Sequence, residues 1–202
     1  MIYKNFIFDM GNVILDFSPD YLLSMHTQDI HVIKTLKQEL FYTGLWQKMD
    51  NDEVSLEEMT SIVRGKVPQE MHQILDNFMK MWSLSLVTNL GMLELIERLK
   101  DSGYGIYLCS NAPSFFLDYK NHYPILDMFD GGVFSGEIGI SKPQPEIFRY
   151  LLDKYNLNPK ECFFVDDLSA NIQGALNLGI DGYQYNGNLS LFENFLKNIG
   201  VI

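Results

Sequence analysis

Apolar residues fall along this chain in two alternating rhythms. Short runs at residues 3–9 (YKNFIFD), 103–111 (GYGIYLCSN), 162–167 (CFFVDD) and 180–186 (IDGYQYN) are apolar, rich in β-formers and bounded by turn residues. That pattern predicts strands, the first of them mostly buried. Between them, apolar positions recur at helical spacing. MLELIERLKDSG (92–103) stops at a glycine, PEIFRYLLDKYN (145–156) opens with proline at a first helical position, and SANIQGALNLG (169–179) again ends in glycine. Strand alternating with helix predicts an α/β fold built on a doubly wound, Rossmann-like parallel sheet.

Residues 18 to about 85 interrupt that alternation. SPDYLLSMH carries a Ser-Pro helix start, SLEEMTSIV places Ser55 and Glu58 at capping-box spacing, and HQILDNFMKMW continues in helical rhythm. No strand signal stands out in this stretch. The expected organisation is a core of residues 1–17 and 86–202, with residues 18–85 inserted as a helical cap. Neither an internal repeat nor a low-complexity tract is visible.

Composition narrows the function classes. Nearly half of the 202 residues are hydrophobic, enough for a substantial core. The formal net charge of −11 leaves no basic excess for nucleic acid, although small anionic substrates answer to local charge instead. Lys4, Asp9 and Asp16 break the N-terminal apolar run, against a signal peptide, and no run of about 18 apolar residues suggests a membrane span. Cys109 and Cys162 lie in strand-like runs and read as buried, reduced thiols. Together these features predict a cytoplasmic protein.

The chemistry gathers where the predicted strands end. Asp9 follows NFIF, Ser110-Asn111 follows IYLC, Asp166-Asp167 follows CFFV, and Lys142 precedes a helix in GISKPQPEIF. In an open parallel sheet, ligands bind beyond the carboxyl ends of the strands. Two or three carboxylates suit a hard cation such as Mg²⁺. Lys142, Ser110 and the backbone N–H groups near Asn111 suit a phosphate. Asp9 can then attack phosphorus and pass through an aspartyl-phosphate. Each piece also has a plain structural reading: an Asp or Ser-Asn at a strand end forms turns, and Asp166-Asp167 can cap a helix starting near Leu168. It is the four groups occurring in order, at strand ends, that favours the chemical reading.

Together, FDMGNV, YLCSN, SKP and FFVDDLSAN resemble the four motifs of the haloacid dehalogenase superfamily, whose cap follows the first motif. The resemblance implies Mg²⁺-dependent hydrolysis of a small phosphorylated metabolite. It implies Asp9 as nucleophile and metal ligand, Ser110, Asn111 and Lys142 as phosphate-binding residues, and Asp167 as direct metal ligand with Asp166 assisting. The backbone carbonyl of Gly11 would complete the metal site. Family phosphatases usually carry a second Asp, the general acid and base, where this chain has Gly11. The DxGNV form is similar to a branch that includes glucose-1-phosphate phosphatases, whose anomeric leaving oxygen needs less protonation; Asp16 is a candidate replacement acid. The alternatives are a catalytically impaired phosphate-binding or regulatory module and a 2-haloacid dehalogenase. Trp46, Tyr42, His26 and Trp82 are candidates for lining the substrate only because they lie in the insertion; each reads first as a packing residue.

Overall fold

A computed structural model describes residues 2–202. Strand β1 (Asn5–Phe8) runs into a tight turn over residues 9–14, followed by the short strand β2 (Leu15–Asp16). Then come helices α1 (Pro19–Ser24), α2 (Ile30–Phe41), α3 (Leu45–Asp50), α4 (Leu56–Arg64) and α5 (His72–Met81). The chain returns through β3 (Val87–Thr88), which pairs antiparallel with β2, so the entry to and exit from the helical segment are hydrogen-bonded to each other. Helix α6 (Leu90–Asp101), β4 (Gly105–Ser110), β5 (Gly131–Phe134), α7 (Ser135–Ile138) and α8 (Pro145–Tyr155) follow. The chain closes with β6 (Cys162–Asp166), α9 (Ser169–Leu176), β7 (Asp181–Gln184) and α10 (Leu189–Asn198).

Among the described residues, one five-stranded sheet has the order β5-β4-β1-β6-β7, every neighbouring pair parallel. Strand β1 is central: the chain builds outward on one side through β4 and β5, then returns to build outward through β6 and β7. The strand order therefore reverses beside β1, and the crevice at its carboxyl end is the expected ligand position. Side-chain alternation divides the sheet into two buried faces. Phe6, Phe8, Ile106, Leu108, Phe163 and Val165 pack with α6 and α10, whereas Ile7, Cys109, Cys162 and Phe164 pack with α8 and α9. The first of these clusters runs on without a break into Leu36, Leu40, Met59 and Phe78 of the helical segment. Both cysteines are buried and free, as the sequence predicts.

The expected helix signals work as read. Ser55 Oγ accepts from Glu58 N–H, and Glu58 Oε2 accepts from Ser55 N–H at 2.9 Å, completing the capping box of α4. Pro19 and Pro145 open α1 and α8. Strand β5 escapes the sequence reading because GGVF offers only two apolar side chains and no alternation; β2 and β3, two residues each, are too short to show any. Among the described residues, no helix is long and apolar enough to cross a membrane.

Helix α9 sits unusually close to the Lys142-Pro143 segment. A Cβ on Gly174 would stand 2.6 Å from the Pro143 carbonyl oxygen and 3.1 Å from the Phe148 ring. Gly174→Ala is therefore expected to destabilise the protein by about 1–3 kcal/mol through overpacking, despite the roughly 1 kcal/mol by which alanine is the better helix former. Urea denaturation checks it; an unchanged or raised midpoint would show that the segment yields freely.

Candidate active site

Every predicted site residue except Asp16 comes to the carboxyl end of the sheet. Asp9 is the first residue beyond β1, held there by its N–H donating to the Val165 carbonyl at 2.8 Å. Ser110 and Asp166 are the last residues of β4 and β6, and Asp167 follows directly. Lys142 reaches across from the loop before α8. It is buried, and its Nζ donates to Asp9 Oδ1 (2.6 Å), the Cys109 carbonyl (2.6 Å) and Asp166 Oδ2 (2.8 Å). All three ammonium hydrogens thus have acceptors inside the protein.

Asn111 fixes that lysine. Its Oδ1 accepts from the Lys142 N–H at 2.8 Å and its Nδ2 donates to the Lys142 carbonyl at 3.0 Å. The side chain of Asn111 is thereby engaged with backbone, leaving main-chain groups and Ser110 as its neighbourhood's donors to a ligand. Asp166 is equally committed: besides Lys142, it accepts from Leu168 N–H at 2.8 Å and from Asn171 Nδ2 at 3.0 Å to each oxygen. Asp167, half-buried, accepts only one side-chain bond, from Asn12 Nδ2 at 3.1 Å.

The electrostatics follow from crowding acids in a dry site. Burial pushes the Asp9 carboxyl up to about 7; Lys142 opposes that shift and the charge of Asp166 adds to it. Burial likewise raises Asp167, with Asn12 pulling the other way. Burial alone would depress the Lys142 ammonium, but Asp9 and Asp166 outweigh it and hold the lysine above its ordinary value. One ammonium thus faces three carboxylates. One ligand oxygen from each of Asp9, Asp166 and Asp167 lies within 4.8 Å of the others. An all-oxygen donor set with uncompensated negative charge fits a hard divalent cation such as Mg²⁺.

With Asp166 buried behind them, Asp9, Asp167, Lys142, Ser110 and Asn111 line a cavity of about 290 Å³. Its walls are Phe17, Trp46, Trp82 and Leu86, with ring centroids 5.5 Å apart for Phe17–Trp46 and 4.9 Å for Trp46–Trp82. Of the four insertion residues singled out from sequence, Trp46 and Trp82 line this cavity. Tyr42 is exposed and His26 packs edge-on against Phe78. Asp16 does not line this cavity: it lies on β2, exposed, in an adjoining surface depression that shares Asn12 and Phe17 with the cavity.

The sequence reading missed three residues of the site. Asn171 lies in the quoted FFVDDLSAN stretch, five residues after Asp166, where one helical turn can carry it back to the strand end. Asn12 takes a left-handed conformation (φ 57°), which lets the turn bring its amide to Asp167. Asp50 also lines the cavity, from the end of α3, and no local sequence signal distinguishes it from other surface acids of the insertion.

Comparison with known proteins agrees with this geometry. The family model for haloacid dehalogenase-like hydrolases matches residues 3–179. The chain is 27% identical to a D-ribitol-5-phosphate phosphatase of Bacteroides thetaiotaomicron, over 90% of this chain and 91% of that protein. It is 24% identical to a sesquiterpene phosphatase of Aspergillus oryzae, over 98% and 97% of the two chains. A haloacid-dehalogenase-family enzyme of B. thetaiotaomicron, solved with magnesium and inorganic phosphate, superposes with a TM-score of 0.70 at 25% identity, covering 92% of this chain and 96% of that one. A match across most of the chain, and a sheet that brings all four motifs to one crevice, make this protein a member of the haloacid dehalogenase-like hydrolases.

Proposed function

We propose that this protein is a Mg²⁺-dependent phosphatase of a small phosphorylated metabolite, with residues 18–85 serving as the cap over its site. The observation that carries the reading is the Asp9–Lys142–Asp166 cluster, with Asp167 beside it, at the strand-order reversal. Relatives that match nearly its whole length are named as phosphatases, and a structural neighbour was solved with magnesium and phosphate. The cavity has room for a phosphate and a small organic body, and its aromatic walls suit the C–H faces of a sugar or polyol.

Asp9 Oδ attacks phosphorus, and the resulting aspartyl-phosphate is then cleaved by water. Ser110 and the N–H groups around Asn111 donate to the phosphoryl oxygens. Lys142 supplies the positive charge, and its three internal hydrogen bonds keep it fixed, so little reorganisation is needed as charge moves. Asp9, Asp167 and the Gly11 carbonyl would hold Mg²⁺ directly and Asp166 through water. When bound, the ion withdraws charge from the phosphoryl oxygens and helps orient the ester. The rival dehalogenase chemistry needs no metal and gives no purpose to three carboxylates around one ammonium. A purely regulatory module would not require Asp9, Lys142 and both adjacent acids together.

A panel of phosphorylated metabolites, sugar 1-phosphates among them, assayed with and without Mg²⁺ tests the reading. Metal-dependent phosphate release is expected; release that ignores Mg²⁺, or none from any ester, would overturn it. Asp9→Asn should abolish turnover while the protein stays folded, because an amide of nearly the same shape is a poor nucleophile.

The two adjacent acids should separate in a Mg²⁺ titration of activity. Asp167→Ala is expected to raise the Mg²⁺ requirement more, since the oxygens of Asp166 are already engaged by Lys142, Asn171 and Leu168. Asp166→Ala should instead lower stability, because it strips Lys142 of one of its two buried counter-charges. The reverse order of Mg²⁺ requirements would exchange their roles.

Without metal, Asp9 also makes stability depend on pH. Its native pKa, about 7, stands above the roughly 3.9 of an unfolded Asp. Between those values the native state holds more protons, so stability is highest below pH 4 at this site and falls as pH rises to 7. Melting temperatures of the metal-free protein should show this fall, and Asp9→Asn should make it shallower.

A further inference from the structure

The site as described holds no acid for the leaving group on Asp9's own loop. Gly11 stands where the family resemblance places one, yet nothing in the backbone demands a glycine. A Cβ there would meet only the Phe17 Cβ, at an ordinary 3.8 Å, and Gly11 is absent from the positive-φ positions. The position has space for an acid and does not carry one.

A different carboxylate reaches the same cavity. Asp50, the last residue of α3, lines it with Asp9, Gly11 and Lys142. It comes from the helical segment, whereas Asp9 comes from the sheet. The segment from 50 to 52 is fastened to the sheet's own loops at each residue. The Asp50 carbonyl accepts from Ser135 Oγ at 2.6 Å, Asn51 Oδ1 accepts from Ser141 Oγ, and Asp52 Oδ1 accepts from Ser114 N–H at 3.1 Å. Those partners lie after β5, next to Lys142, and after β4. Gly136 makes the approach possible, since a Cβ there would sit 2.8 Å from Asp52 Oδ1 and 2.4 Å from Ser114 N. Three anchors within three residues hold Asp50 in register with the catalytic loops. Its carboxylate makes no hydrogen bond to any described residue, so it is free for a ligand.

We propose that Asp50 is the general acid and base that replaces the carboxylate missing at Gly11. The inference rests on the phosphatase reading above. In the first step the Asp9 Oδ–phosphorus bond forms, the ester P–O bond breaks, and the Asp50 carboxyl proton passes to the leaving oxygen, releasing the alcohol. In the second, water attacks phosphorus as its proton passes to the Asp50 carboxylate, and the Asp9–phosphorus bond breaks to free phosphate and restore both residues. Burial, and then the charges of Asp9 and Asp52, hold Asp50 well above the usual carboxylate range, which supplies the protonated form that the first step uses. With this acid in place, the leaving group need not be an anomeric or aryl oxygen, and ordinary alcohol phosphates come within reach.

The test is a series of Mg²⁺-dependent single-turnover phosphorylations of Asp9, using aryl and alkyl phosphates whose leaving groups span several pKa units. The unaltered protein should show a shallow dependence on leaving-group pKa. Asp50→Asn should steepen it, with losses of about 10²–10⁴-fold for alkyl phosphates and far smaller ones for the best aryl leaving groups. A merely structural role for Asp50 would lower every rate by the same factor. Adding Gly11→Asp to Asp50→Asn should restore alkyl-phosphate turnover and flatten the series again, while Asp16→Asn alone should leave the slope unchanged. Equal losses across the series in Asp50→Asn, or a steep slope already present in the unaltered protein, would overturn the assignment and leave the phosphatase reading standing. No turnover of any ester by the unaltered protein would overturn both.

Discussion

The site depends on one buried ammonium. Lys142 Nζ, buried at the base of the cavity, is bonded to two carboxylates and a carbonyl, and each of its partners lies at the end of a different strand or just beyond it. Removing the lysine would leave Asp9 and Asp166 as uncompensated buried charges, a loss typically costing about 3–5 kcal/mol. The surrounding structure is organised to prevent this: Asn111 clamps the lysine's backbone on both sides, α9 packs against Pro143 at Gly174, and Asn171 holds Asp166 in place. Stability and chemistry therefore share the same bonds, and the fold cannot relax the site without losing part of its own core.

That arrangement still leaves negative charge in excess. With Asp50 included, three carboxylates line the cavity, a fourth, Asp166, lies buried behind Lys142, and one ammonium answers them. Burial is the main origin of the upward shifts at Asp9, Asp50 and Asp167, and the charges of neighbouring carboxylates add to it. A divalent cation placed among Asp9, Asp166 and Asp167 would restore the balance there, and Asp50, on the helical segment, stands outside that set.

The helical segment is joined to the sheet by more than its two connecting strands. Its apolar residues continue the core of one sheet face, and residues 50–52 bond to three separate loops of the sheet. Trp46 and Trp82, which line the cavity, are therefore held in a fixed relation to the strand ends.

Much of this was open to reading from the sequence. The strand and helix rhythms foretold the α/β fold, and the strand-end reading picked out Asp9, Ser110, Asn111, Lys142, Asp166 and Asp167, which the sheet gathers at one crevice. These inferences hold because buried strands and amphipathic helices impose periods on a chain, and because a parallel sheet gathers its strand ends in one place. Residues whose roles depend on distant contacts left no such mark. Gly-Gly-Val-Phe becomes a strand only because β4 is there to pair with it. Asn171 and Asn12 look like ordinary helix and turn residues until Asp166 and Asp167 lie beside them. Asp16 is near Asp9 in sequence but does not line its cavity, while Asp50, 41 positions from Asp9, is brought to it by a segment bonded to Ser135, Ser141 and Ser114. The sequence by itself determined which chemistry the strand ends could hold; only the packing of the helical segment against the sheet decided which further groups that chemistry would meet, because such contacts follow from three-dimensional closure and carry no period along the chain.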